Sequence, residues 1–304
     1  MQGNEKFLGR VASYAHKHAL WREGERILAA VSGGPDSLAL LLALKLLAVK
    51  EKINIGCCCV NHHLRAAAGK EAEFVESVCR EWNIPFILKE VDVQSAVRNG
   101  GSIETAARDL RYKALREAAR GGRYAKIAVA HHGDDQAETV LYHLLRGSGV
   151  TGLSGMKPIN GDIIRPFLCV SKNEIKDFLK DFSYVPCHDE SNDVEDAVRN
   201  RIRLSLVPEL ISYNPRVTES LRRTADIFRE EDLFMEEKAD VFISSCVEHD
   251  NDKCVFFIAY FLALHIALQR RVIRKICCMV AGRIPSLEGT EKFIFLIDAG
   301  KTGS

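Results

Sequence analysis

Residues 27–44 read ILAAVSGGPDSLALLLAL: an apolar run of strand length, a turn holding two glycines and a proline, and a leucine-rich stretch of helix length. A buried strand passing directly into a helix is the first step of a parallel α/β unit, in which ligands bind beyond the carboxyl ends of the strands. There a helix N-terminus offers N–H groups and the positive end of its dipole to an anion. In Ser32-Gly33-Gly34-Pro35-Asp36-Ser37 the glycines allow close approach of a phosphate, and the serines add hydroxyls. A Walker loop would place a lysine where this one has Asp36. A carboxylate repels a polyphosphate unless a divalent cation lies between them, so Asp36 is expected to be a magnesium ligand and the loop to clasp a departing pyrophosphate. That suits attack on the α-phosphate of ATP, with AMP and pyrophosphate as products. The competing reading is a plain strand–helix turn in which Ser32 or Asp36 caps the helix.

Outward from this stretch, apolar runs of strand length alternate with amphipathic ones. Strands are expected at 26–31, 53–60, 86–91 and 125–130, and helices at 36–50, 69–83, 102–120 and 134–146. Such repetition indicates a parallel sheet covered on both faces, a doubly wound, Rossmann-like α/β fold. A glycine-rich stretch, GSGVTGLSGM (147–156), precedes a short strand near 163–165 and a helix at 171–181. Residues 183–200, polar and marked by Pro186, read as a loop. Helical periodicity dominates from about Asn214 through Glu248 and again from Val255 to Val280. The expected organisation is an ATP-binding catalytic domain over 1–210 and a mostly helical domain over 211–304.

The 304 residues are 47% hydrophobic and 27% charged, and no apolar run reaches the ~18 residues of a membrane span. The first twenty residues lack a signal peptide's apolar centre, so a cytoplasmic protein without a membrane partner is expected. Ten cysteines include no C-x-x-C pair, which fits neither a zinc ribbon nor a disulfide ladder. Cys57, Cys58 and Cys59, within INIGCCCV, read as core packing. A net charge of +1 argues nothing about nucleic acid, but arginines gather between Arg199 and Arg229. Farther on, QRRVIRK spaces Arg270 with Arg274 and Arg271 with Lys275 at i, i+4. Charge alone leaves an RNA-facing stripe and a solvated helix face equally open.

The ordered segments SGGPDS, VNHHLR (60–65), ETAARDLRY (104–112), AHHGDDQAET (130–139), LLRGSGVTGLSGM (144–156), IIRPFL (163–168) and DESND…RNRIR (189–203) carry a resemblance over nearly the whole chain. The set is similar to that of the tRNA(Ile)-lysidine synthetases, a family of PP-loop ATP pyrophosphatases. Two departures stand out: Asn61 lies where an aspartate is common, and GKTGS ends the chain where longer members continue into another small domain. The second suggests either a naturally short form or a truncated chain, with weaker tRNA affinity.

The resemblance implies a ligase of tRNA modification. The O2 of the cytidine at the first anticodon position of an isoleucine tRNA, anticodon CAU, attacks the α-phosphate of ATP. Magnesium held partly by Asp36 accompanies the pyrophosphate, and the ε-amine of free lysine then displaces AMP at C2. The loop reading gives Ser32, Gly33, Gly34, Pro35, Asp36 and Ser37 as ATP-binding residues; a place on the same sheet edge gives His131 and Asp134 catalytic roles beside Asp36, and the resemblance adds Arg108. Arg201 and Arg203, after a polar loop, would contact ATP or the tRNA backbone, Arg271 and Arg274 of the basic stripe would bind tRNA, and a homodimer is one admissible assembly. Structural accounts compete at several of these positions. Asp135 with Glu138 fits a capping box, Glu104 with Arg108 fits a surface ion pair worth ~0.3–0.5 kcal/mol, and His132 fits a satisfied neighbour. No sequence element marks the contacts to lysine. Two rival functions are a tRNA thiolase, disfavoured by the lack of C-x-x-C, and a non-catalytic nucleotide-binding module.

Overall fold

The computed structural model describes residues 2–62, 68–93, 103–182, 197–250 and 253–300. The chain packs as two units, Met1–Ala225 and Asp226–Ser304. The strands of the first unit are β1 (Arg26–Ala30), β2 (Asn54–Asn61), β3 (Phe86–Glu90), β4 (Lys126–Ala128), β5 (Ile159–Asn160) and β6 (Ile163–Ile164). They form one sheet in the order β3-β2-β1-β4-β6-β5, parallel throughout except where β5 meets β6. Its helices are α1 (Gln2–Lys17), α2 (Pro35–Glu51), α3 (Ala68–Glu81), α4 (Ile103–Gly121), α5 (Gly133–Leu145), the single turn α6 (Val150–Leu153) and α7 (Lys172–Lys180).

Strand alternation fills two layers. Ile27, Ala29, Cys57, Ala128 and Ile164 enter the core shared with α1, α2, α3 and α7, whereas Leu28, Cys58, Ile127 and Ile163 enter the one shared with α4. The sheet is therefore doubly wound, as expected, and Cys57, Cys58 and Cys59 pack as buried apolar residues. Helix α2 buries Leu38, Leu40, Leu41 and Leu44 completely because α1 and α7 lie against it as well as the sheet. Each such leucine contributes about 1.5–3 kcal/mol. Gly56 in β2 leaves room for Tyr124, whose hydroxyl would stand 2.0 Å from a Cβ at that position.

Three expectations change. Helix α1 was not anticipated as an element; its i, i+4 series Phe7, Val11 and Ala15 enters the core, with the Phe7 ring stacked on Phe178 at 4.4 Å. Residues 183–196 lie outside the described residues, but the expected loop ends before 200, because α8 (Ala197–Arg201) already carries Arg199. It runs through a π-helical turn (Ile202–Leu206) into α9 (Val207–Tyr213), and α10 (Val217–Cys246) follows.

In the second unit, the continuous helix expected from Val255 is replaced by an antiparallel pair, β7 (Val247–Asp250) and β8 (Lys253–Phe256), then α11 (Ile258–Leu262), α12 (Ile266–Ala281) and α13 (Leu287–Asp298). Cys254 and Phe256 turn to the core while Val255 faces out, the period of a strand. His265 starts α12 afresh, its Nδ1 accepting the Ala267 N–H. Among the described residues no helix is long and apolar enough to cross a membrane.

Candidate active site at the carboxyl edge of the sheet

After β1 the chain adds β2 and β3 on one side and then returns to place β4 on the other, so the strand order reverses between β1 and β4. Such a switch point opens a crevice at the carboxyl ends of the strands, where α2 and α5 begin. Gly33 turns the chain there at φ +91°, a region that favours glycine. The Ser37 hydroxyl accepts the Ser32 N–H at 3.1 Å and donates to the Gly34 carbonyl at 2.9 Å, bracing the loop from within. Gly34 is the N-cap of α2, with no capping side chain and Pro35 next. Neither Ser32 nor Asp36 therefore caps α2, and its first N–H groups have no side-chain partner of that kind.

Opposite this loop, His132 is a hub. Its Nε2 lies 3.7 Å from Asp36 Oδ2 and 3.6 Å from Asp135 Oδ2, and its Nδ1 lies 3.6 Å from Asp134 Oδ2. Burial pushes the imidazole pKa down, but the charges of Asp135, Asp36 and Asp134 outweigh it and raise it above the ordinary value. Burial likewise pushes the Asp36 carboxyl up, while contact with His132 and the charges of His132, Lys172 and Arg203 hold it below the usual range. Asp36 Oδ1 is buried with no hydrogen-bond partner. Among the described residues no cluster of three protein ligands could hold a metal. One carboxylate with a vacant oxygen beside a phosphate loop nevertheless fits magnesium, which takes one or two carboxylates together with phosphate oxygens and water.

Asp135 and Glu138 do not form the expected capping box with each other. Asp135 Oδ2 instead accepts the His132 N–H at 2.9 Å, and Glu138 receives Arg203 Nε at 2.7 Å and Nη2 at 3.0 Å. Arg203 Nη2 also reaches Asp135 Oδ1 at 3.4 Å, so this arginine, expected at the tRNA, lies among the acids of the crevice. Glu138, buried, has its pKa raised chiefly by that burial, against the pull of Arg203. Asp134 accepts the Lys172 N–H at 2.6 Å and so steadies the start of α7. The Glu104 side chain and residues 63–65 of VNHHLR lie outside the described ones.

His131 faces the other layer. It lies among Arg165, Arg111 and Arg108, whereas the adjacent His132 lies among Asp36, Asp134 and Asp135. Burial, then the charges of Arg165, Arg111 and Arg108, push the His131 pKa well below its ordinary value, leaving a neutral ring. Arg108 and Arg111 lie 5.2 and 5.5 Å from the Tyr112 ring centre. Arg165, just past β6, is 6% exposed, and Nη1 donates to the Lys157 carbonyl at 2.8 Å. Arg165 was not among the expected site residues; its one signal in sequence is an arginine directly after the apolar start of IIRPFL.

The other proposed tRNA contacts separate. Arg201 is exposed on α8. In the second unit Arg271 Nη1 lies 2.7 Å from Asp232 and 2.6 Å from Glu236, whereas Arg274 is exposed.

The description of the family model that matches residues 5–210 is a PP-loop domain. The tRNA(Ile)-lysidine synthase of Caldanaerobacter subterraneus subsp. tengcongensis is 36% identical over 92% of this chain and 60% of its own length. That of Petrotoga mobilis is 37% identical over 75% of this chain and 74% of its own. This chain spans 60% to 64% of the length of several such relatives. The fold is similar to that of the U34-tRNA thiolase NcsA from Methanococcus maripaludis, with a TM-score of 0.61 at 17% identity over 74% of this chain and 80% of that one. The chain belongs to the PP-loop family, among the tRNA(Ile)-lysidine synthases.

Proposed function

We propose that this chain uses ATP to join lysine to C2 of the first anticodon cytidine of an isoleucine tRNA with a CAU anticodon, through an adenylated cytidine, with release of pyrophosphate and AMP. The observation that carries the proposal is the uncapped start of α2 beside Asp36, whose Oδ1 has no hydrogen-bond partner, in a chain of this family. Ser32, Gly33, Gly34 and Pro35 hold the β and γ phosphates, and Ser37 keeps the loop in shape. Asp36 would hold magnesium through its unpartnered Oδ1, and the ion would supply charge neutralisation to the departing pyrophosphate. His132 keeps its carboxylate neighbours ionised and in place, and Arg108 meets the adenylate phosphate. Catalysis is positioning and charge stabilisation, with no covalent protein nucleophile.

Residues 1–210 perform the chemistry and residues 211–304 contribute to tRNA binding, with Arg201 and Arg274 as the phosphate contacts. Arg203 and Arg271 move out of that set, since carboxylates already engage them. The protein acts in the cytoplasm, alone or as a homodimer. The test supplies ATP, magnesium, labelled lysine and the tRNA. Label is expected in tRNA with AMP formed in equal amount, and replacing the target cytidine by uridine abolishes it. Pyrophosphate release without transfer of lysine sinks the reading.

A further inference from the structure

Three buried polar atoms on the α4 face of the crevice make no hydrogen bond of normal geometry: Arg165 Nε, the Tyr112 hydroxyl and His131 Nδ1, with the Arg165 and Tyr112 side chains close enough to interact weakly with each other. Two more guanidinium groups, Arg108 and Arg111, stand over the same tyrosine ring. Among the described residues none of these three arginines has a carboxylate recorded at ion-pair distance. Burying a guanidinium among like charges is unfavourable unless an anion joins it, and burial and the Arg108 charge accordingly weaken Arg165's hold on its proton, Tyr112 opposing them. His131, neutral, adds a hydrogen-bonding ring without adding charge.

The β and γ phosphates already have a place, the loop after β1, and Arg108, exposed on α4, is given to the adenylate phosphate. On this face the Lys157 carbonyl fixes the Arg165 guanidinium through Nη1, which leaves its Nε edge to point at a ligand. Such an edge matches a planar carboxylate, which accepts paired N–H donors side by side. We infer that Arg165, Tyr112 and His131, with Arg111 beside them, form the subsite that seats the α-carboxylate of the amino-acid substrate. The inference rests on the functional reading above and completes it. Of the three substrates, free lysine alone brings a carboxylate, and its reactive ε-amine is the far end of the molecule. Anchoring the carboxylate here positions the chain of methylenes without engaging the nucleophile. The three residues are binding residues; none of them moves a proton in the transfer.

The test compares lysine with lysinamide, which keeps the ε-amine and lacks the carboxylate charge, as second substrate of the full chain with saturating ATP, magnesium and tRNA. A KM for lysinamide at least about tenfold above that for lysine is expected, as for loss of a charged hydrogen bond. Tyr112→Phe removes one hydroxyl and keeps the ring; it should raise the KM for lysine about tenfold and leave that for lysinamide alone. Arg165→Lys should do the same, with tRNA-dependent pyrophosphate release unchanged in both variants. Equal KM values for the two amines in the unaltered protein overturn the inference. So does a folded Tyr112→Phe protein that loses pyrophosphate release while keeping its KM for lysine, an outcome that assigns the anion to ATP. If no lysine is transferred at all, the functional reading fails separately, and the subsite is judged by calorimetry. Lysine binding in preference to lysinamide, abolished by Tyr112→Phe, supports it; equal binding, or none, overturns it.

Discussion

The arginines of the two units keep different company. In the first unit, Arg108, Arg111 and Arg165 gather around Tyr112 and His131, where buried polar atoms make no hydrogen bond of normal geometry. In the second, Arg271 lies between Asp232 and Glu236, Lys275 between Glu236 and Asp240, and Arg270 against Glu291. Only the second reads as a basic stripe in sequence, through QRRVIRK (269–275). Availability of the charge, and not its count, separates a binding surface from a brace.

The sharpest contrast comes from removing one carboxylate in each unit. Asp36→Asn should cut magnesium-dependent pyrophosphate release about a thousandfold or more while the protein still unfolds cooperatively near its original temperature. Asp232→Ala should leave ATP affinity unchanged and destabilise the second unit by roughly 2–3 kcal/mol, since Arg271 keeps Glu236 but loses its buried partner. Normal turnover by a folded Asp36→Asn protein would break the comparison at its strongest point.

Within α12, Arg274→Ala should weaken tRNA binding and reduce the slope of log affinity against log salt by about one, whereas Arg271→Ala should mainly lower stability. Equal slopes for both variants and the parent would make the whole helix face a solvated one.

The smallest effect concerns His132. Folding raises its pKa above the ordinary ~6.5, so its stabilisation is whole below about pH 6.5 and is lost as pH rises through the folded value. Unfolding of the first unit, followed by calorimetry, should occur at lower temperature as pH climbs through that window, about 2–4 °C for each kcal/mol. His132→Asn should flatten the dependence; an unchanged curve removes His132 as the hub of the acidic cluster.

Much of the first unit was legible in the residues. The alternation of apolar runs with 3.6-residue patterns named its sheet helices apart from α1, and SGGPDS marked the loop, because both signals lie within a dozen neighbouring positions. Helix α1 escaped because Gly3 and Gly9 interrupt a mixed pattern whose apolar face becomes evident only against Phe167 and Phe178. Strand β8 escaped because Val255 and the phenylalanines after it fit either period, and pairing with β7 decides between them.

By itself, the sequence determined the doubly wound class, the phosphate loop and the family, all of which rest on local period, turn chemistry and ordered motifs. Tertiary structure alone decided which charges are free. Arg203 meets Glu138 across 65 residues, Arg271 meets Asp232 across 39, and of the adjacent histidines His131 lies among arginines and His132 among carboxylates. Pairings at such separations leave no local pattern, since the Coulomb energy depends on distance in space and on exclusion of water, neither of which is written in the order of residues.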